Sequence, residues 1–456
     1  MVSRQLSPLR VVPTKIRAAQ PTDRADIAIY RPFFLSGILS VLTAGCLLGA
    51  IALMGISIKG DYLASAWTPY VLAHANSQLF GWVGFFIMGF ALQQHATTVE
   101  KTNLFHRVAF WILGLMALGI ALRFVAEPMA KVDRGLWVPV GVVACLLQLA
   151  AVVMFMYNTT ANRYRSGKPL AWQSLFVFGS LFWMLAISVA EPFFFALSHQ
   201  AIPEASVMFV AKWFAPYREA QFLGFAAMMI FGVSLVKFHT CFGLREANAK
   251  LGILAFGLWM GGLAMRILGW IVFFNGMLQP ETAWMFRLGA VSLALGAGAA
   301  AASLGIFEPV RETFRSQKFV RAAFVWLLVS GVMMALEPIH LNLIGMPFSH
   351  AFTGATRHAV TVGFISQMII GVGMHVVARL NGLAEERLPA LWSVFWLLNL
   401  GNTGRVVLEV ATDYSPAAFA PMGMTGFIEL VGLAIWGIHV ARPMLARFKE
   451  VPAHVC

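Results

Sequence analysis

Hydrophobic residues in this chain come in long blocks separated by short polar stretches. The blocks run to roughly 20 residues or more, the length at which a helix crosses a ~30 Å hydrocarbon layer. A transmembrane barrel would instead alternate apolar and polar positions over segments of ~10 residues. The pattern therefore predicts twelve helical spans, beginning near Phe33, Val71, Arg107, Leu136, Leu170, Ala215, Leu251, Ala283, Val320, Ala355, Ala390 and Gly423. The loops between them are too short to hold a further domain. The expected organisation is a basic segment over 1–32, a twelve-helix membrane domain over 33–445 and a tail over 446–456. The fold class is all-α integral membrane protein.

Composition agrees. The chain is 59% hydrophobic and only 12% charged, about half the charge of a soluble domain. A net charge of +13 does not read as a nucleic-acid footprint, because the basic residues are scattered through short loops. The partner it implies is the lipid bilayer. Most Lys and Arg fall on the side of the two termini, leaving Lys59, Lys131, Arg134 and Lys212 clearly on the other. Cytoplasmic loops carry the excess of positive charge, so both termini are expected in the cytoplasm. The first residues, MVSRQLSPLRVVPTKIRAAQ, lack an apolar core and do not read as a cleaved signal. The first span is expected to insert as a signal anchor. Four cysteines show no metal-ligand spacing.

One pattern recurs three times: HANSQLFGWVGFFIMGF from 74, YREAQFLGFAAMMIFGV from 217 and TRHAVTVGFISQMIIGV from 356. Gly81, Gly224 and Gly363 align, as do Gly89, Gly232 and Gly371. The same two intervals separate the intramembrane arginines Arg123, Arg266 and Arg405. Spans five and nine both end in Glu-Pro, at Glu191-Pro192 and Glu337-Pro338. The reading is three related groups of four helices, about 33–160, 170–307 and 320–445. The glycines suit close helix packing.

Five residues before the aligned glycines stand Asn76, Glu219 and His358; seven before stand His74, Tyr217 and Thr356. Residues two apart do not share a helix face, so one ligand from each helix is more natural than a chelating pair. Polar groups at membrane depth cost free energy and are commonly paired or functional. His74, His199, His340, His350 and His358 fall toward the outer side, together with Glu127, Glu191, Glu219, Glu337 and Glu409. Imidazole suits haem iron, copper and zinc, and Arg357 and Arg218 stand beside the candidate ligands. Arg123 with Glu127 and Arg405 with Glu409 have the i, i+4 spacing of ion pairs.

Three short elements carry a family resemblance: YRPFFL at 30–35, HANSQLFG at 74–81 and RHAVTVG at 357–363. In this order they resemble the NnrS family, membrane proteins said to contain haem and copper and linked to nitric oxide metabolism. The family is more distantly similar to subunit I of the haem–copper oxidases, where helices two and ten hold a low-spin haem. The resemblance implies a bacterial inner-membrane protein of nitric oxide metabolism, denitrification or the nitrosative-stress response. It implies a haem, b-type, held by His74 and His358, with Arg357 and Asn76 beside it. Copper is a second group it allows, with His350 and Glu219 as further metal candidates. Asn76 stands where the family motif has a second histidine. The copper ligands of an oxidase have no counterpart in the seventh span, which lacks histidine.

Two other classes stay open at this point. A terminal oxidase or nitric oxide reductase subunit needs three histidines around copper. A cofactor-free secondary transporter is compatible with internal repeats and buried charges.

Overall fold

The computed structural model describes residues 28–60, 62, 66–96, 102–167, 169–310 and 314–446. The basic N-terminal segment and the C-terminal tail lie almost wholly outside these residues. Among the described residues there is no strand, and eleven helices are long and apolar enough to cross a membrane. They are α1 Tyr30–Lys59, α2 Thr68–Ala96, α3 Leu104–Met129, α4 Arg134–Arg165, α5 Ser174–Ser198 and α6 Pro203–Cys241. α7 Ala249–Asn275, α8 Pro280–Leu304, α9 Gln317–Ile344 and α10 His350–Leu380 follow, and α12 Pro416–Leu445 comes last. Between the last two lies α11, Trp392–Ala411. It is less apolar than the others because it carries Asn399, Asn402, Arg405 and Glu409.

α11 nevertheless runs the length of the bundle. At its start, Lys318 at the head of α9 donates to Ala390 O. Past its end, Tyr62 bonds Thr412 at 3.0 Å and His340 near the end of α9 meets Asp413 at 2.7 Å. The first of these contacts lies at what we term the near end, with the start of α1: Arg31 donates to Asn381, just after α10, at 2.9 Å. The others lie at the far end.

Local chemistry sets the helix ends. Asp133, Asn248 and Ser349 cap α4, α7 and α10 by accepting from the backbone N–H three residues on. α1 and α9 stop at Gly60 and Gly345, both at φ +66°, a left-handed conformation that favours glycine. Most ends match the pattern-based reading within a few residues. α6 starts twelve residues earlier than expected, at Pro203, because a polar amphipathic stretch continues the helix beyond the apolar block.

The helices fall into two layers. The most apolar windows of α2, α6 and α10 are 72, 72 and 83% buried, against 33–50% in the other spans. Those three are inner helices. α1 packs on α12, α4 on α5 and α8 on α9, and these contacts carry the outer layer around them. At the centre Phe231 of α6 meets Phe364 of α10, with ring centroids 5.8 Å apart, and Trp259 of α7 at 4.9 Å.

Each inner helix contains an eight-residue π-helical stretch: Ser77–Gly84, Ala220–Ala227 and Ala359–Ser366. These stretches begin at the intervals that separate the repeated glycines. A π turn disturbs the regular backbone ladder, and neighbouring side chains take up carbonyls there. Ser180 donates to Phe225 O at 2.7 Å, Trp259 to Leu223 O at 3.0 Å and Ser366 to Thr361 O at 2.9 Å. The aligned glycines meet corresponding neighbours. A methyl on Gly224 or Gly363 would clash with Trp183 or Trp326, and one on Gly81 with Ser40.

Candidate functional site

His74 and His358 sit at one level. Trp82 on α2 donates to Ser366 Oγ on α10 at 3.1 Å, and each histidine lies eight residues before its member of that pair. Both helices run from the far end to the near end, so the two imidazoles stand side by side in depth, about two turns above the tie.

Their orientations are fixed alike. His74 Nδ1 meets Gly45 O of α1 at 2.8 Å, and His358 Nδ1 meets Gly354 O at 3.0 Å. A carbonyl can only accept, so Nδ1 carries the proton in both rings and Nε2 keeps its lone pair. No described residue hydrogen-bonds either Nε2. Of the His358 side chain, 31% is accessible to a water-sized sphere although it lies inside the bundle. It therefore faces a space and not packed protein. Gly49 makes room for the other ring: a methyl there would stand 2.5 Å from His74 Cε1.

α11 lines the same region. Asn402, Arg405 and Glu409 share one helix face, and all three are buried. Glu409 Oε2 lies 3.6 Å from His358 Nδ1. Arg405 donates to Glu409 Oε1 at 3.0 Å, the i, i+4 pair read from the sequence. Arg405 Nε and Nη1, Glu409 Oε2 and both amide atoms of Asn402 have no hydrogen-bond partner among the described residues. These buried groups lie on the face of α11 turned to His358.

Asn76 belongs elsewhere. Its amide exchanges hydrogen bonds with Gln148 at 3.0 and 3.3 Å and donates to Glu191 at 3.4 Å. That network continues to Arg123, which grips Glu127 at 2.7 Å and Glu191 at 2.9 Å. The i, i+4 pair of Arg123 and Glu127 was legible in the sequence; the partner on α5 was not. Asn76 thus points from α2 toward α4 and α5, away from the face that carries His74.

Glu219 is also committed. Arg266 of α7 donates to both its carboxylate oxygens at 2.7–2.9 Å and lies 3.7 Å from Glu337 of α9. Arg357 is next to His358 in sequence but about 100° around the helix. Its side chain lines a separate cavity with Glu219, Arg266 and Glu337. His350 is exposed at the start of α10, its ring against Phe348, roughly 12 Å along the helix from His358. The structure therefore sets His74 and His358 at one depth on two inner helices and distributes Asn76, Glu219, Arg357 and His350 over other surroundings. Among the described residues no three His, Cys, Asp or Glu side chains converge on a metal-ion site.

Comparison with curated proteins gives no match. The family model described as NnrS protein matches residues 28–448, from the first described residue past the end of α12. On that match the chain belongs to the NnrS protein family.

Proposed function

We propose that this NnrS-family chain is a haem-binding membrane protein that acts in nitric oxide metabolism or the nitrosative-stress response. The observation that carries the haem assignment is the matched pair of histidines. Both rings spend Nδ1–H on a backbone carbonyl and leave Nε2 without a hydrogen-bond partner among the described residues, an arrangement typical of metal-bound histidine. The residues present fit the group: two neutral imidazoles from two helices, a glycine clearing space for one ring, and unsatisfied polar atoms alongside. His74 and His358 would hold the haem. Bound there, it would supply redox chemistry. The chain's own part is to fix both ring tautomers through Gly45 and Gly354 and to surround the group with apolar helix. Arg405 adds donors for an anionic substituent. For copper, no three donors converge among the described residues, and haem alone is proposed.

The architecture proposed around this site has twelve spans in three related groups of four, with both termini in the cytoplasm. The π stretches, the glycine neighbours and the length of α11 support it, together with the sidedness of Lys and Arg. The far end, with His74 and His358, then faces outward. The test is an optical spectrum and metal analysis of the detergent-solubilised protein. A Soret band that is lost in His74→Ala and His358→Ala is expected. Absence of the band from protein made with ample haem, or a band indifferent to both variants, would overturn the reading.

A further inference from the structure

A cavity of about 40 Å³ opens between α6, α7, α9 and α10, on the side of α10 away from His358. Its charged wall residues are Glu219, Arg266, Glu337 and Arg357, and Thr353 and Thr356 add hydroxyls. A water-sized group needs roughly 10–15 Å³ on this measure, so the space holds about three such groups.

The wall has more donors than it uses. Glu219 is saturated by Arg266 through Nε and Nη2. Arg266 is 5% exposed, yet its remaining Nη1 has no hydrogen-bond partner among the described residues. The nearest carboxylate oxygen, on Glu337, is 3.7 Å away, too far for a hydrogen bond. Thr353 Oγ1 is buried and unsatisfied as well. The Arg357 guanidinium makes no hydrogen bond or ion pair with any described residue.

Two guanidinium groups, Arg266 and Arg357, share the wall with two carboxylates, Glu219 and Glu337. Arg266 is paired with Glu219, which leaves Arg357 without a carboxylate partner of its own. Glu409, the other acid in reach of Arg357, is already paired with Arg405.

We infer that this cavity is a binding site for a small, planar, monovalent oxyanion of formate or nitrite type. The unsatisfied donors call for an acceptor, and the Arg357 guanidinium, which no carboxylate pairs, favours a negative charge. The flat guanidinium fork matches a planar oxyanion, and the volume admits about three heavy atoms. Glu337 limits affinity by standing opposite the ligand. The site is independent of the haem assignment.

The test is calorimetric titration of the full-length protein in detergent with sodium formate and sodium nitrite at constant ionic strength. Saturable binding of one anion per chain is expected. Arg357→Gln should weaken it at least tenfold, with Arg357→Lys falling between. Glu337→Gln should tighten it severalfold, which a merely structural role for Glu337 does not do. If Arg357→Gln does not fold, the opposed effects of Thr353→Val (weaker) and Glu337→Gln (tighter) decide the question. No saturable binding in the unmodified protein, or binding indifferent to these substitutions, overturns the inference. The Soret band plays no part in either outcome.

Discussion

Arg266 on α7 holds both carboxylate oxygens of Glu219 on α6, at 2.7–2.9 Å, with the arginine side chain 6% exposed. Deleting one partner of such a pair strands the other without compensation, at a cost of about 3–5 kcal/mol. Arg266→Met alone should therefore lower the thermal midpoint sharply. The double variant Arg266→Met with Glu219→Leu should recover most of the loss. A double variant as unstable as the single would show that the pair does more than neutralise itself.

Gly49 leads to a second expectation. A methyl group at this position stands 2.5 Å from His74 Cε1, and the imidazole is what can move. Gly49→Ala should leave the protein folded and reduce retained haem, read as the ratio of Soret to protein absorbance. Unchanged haem content would place the His74 ring outside the cofactor site.

Asn76 separates a reading of the motif from a reading of the structure. Because its amide is spent on Gln148 and Glu191, Asn76→His should add no ligand to His74. The haem spectrum should stay as it is. Asn76→Ala should instead cost stability, about 1–3 kcal/mol for the polar partners left unsatisfied. A new ligand-field signature in Asn76→His would contradict this.

At the near end, Glu385 lies in the loop after α10. Burial works against its charge, but hydrogen bonds from His375 at 2.8 Å and from Ser316 N at 2.6 Å hold its carboxyl below the usual 4.5. A value lower in the folded state contributes stability above pH 4.5 and loses it as pH falls through the folded value. The thermal midpoint should fall with acidification in that window. Glu385→Gln should start lower at neutral pH and show a flatter profile. Equal slopes in the two proteins would remove Glu385 as the cause.

Much of the fold was legible because membrane spans are written as uninterrupted apolar length. The i, i+4 pairs of Arg123 with Glu127 and Arg405 with Glu409 could be read because helix geometry alone places them together. The bonds that organise the sites could not be read this way. Arg123 meets Glu191, and Arg266 meets Glu219 and Glu337, across different helices. One sequence does not state which helices are neighbours. The facing of Asn76 and Arg357 was hidden for a related reason: adjacent or near-adjacent residues turn to different partners, and spacing does not say which one faces the site. α11 shows the converse. Its amides and charges weaken the apolar signal: Asn399 bonds Trp326 of α9 and Gln367 of α10, and Arg405 pairs with Glu409 beside His358.

The π stretches carry one more consequence. A helix that loosens its winding for two turns changes phase, so its two ends no longer present a single continuous stripe. In α2, the residues before Ser77 and those after Gly84 can each face their own neighbours. His74 before the stretch and Phe86 after it can thus each be aimed at its own neighbour, Gly45 and Trp436, although an unbroken α-helix would link their directions rigidly. A single-residue deletion inside Ser77–Gly84 would change the rotation between the two ends and so re-aim everything toward the far end. It would swing the imidazole out of register while leaving the hydrophobic length of the span almost untouched.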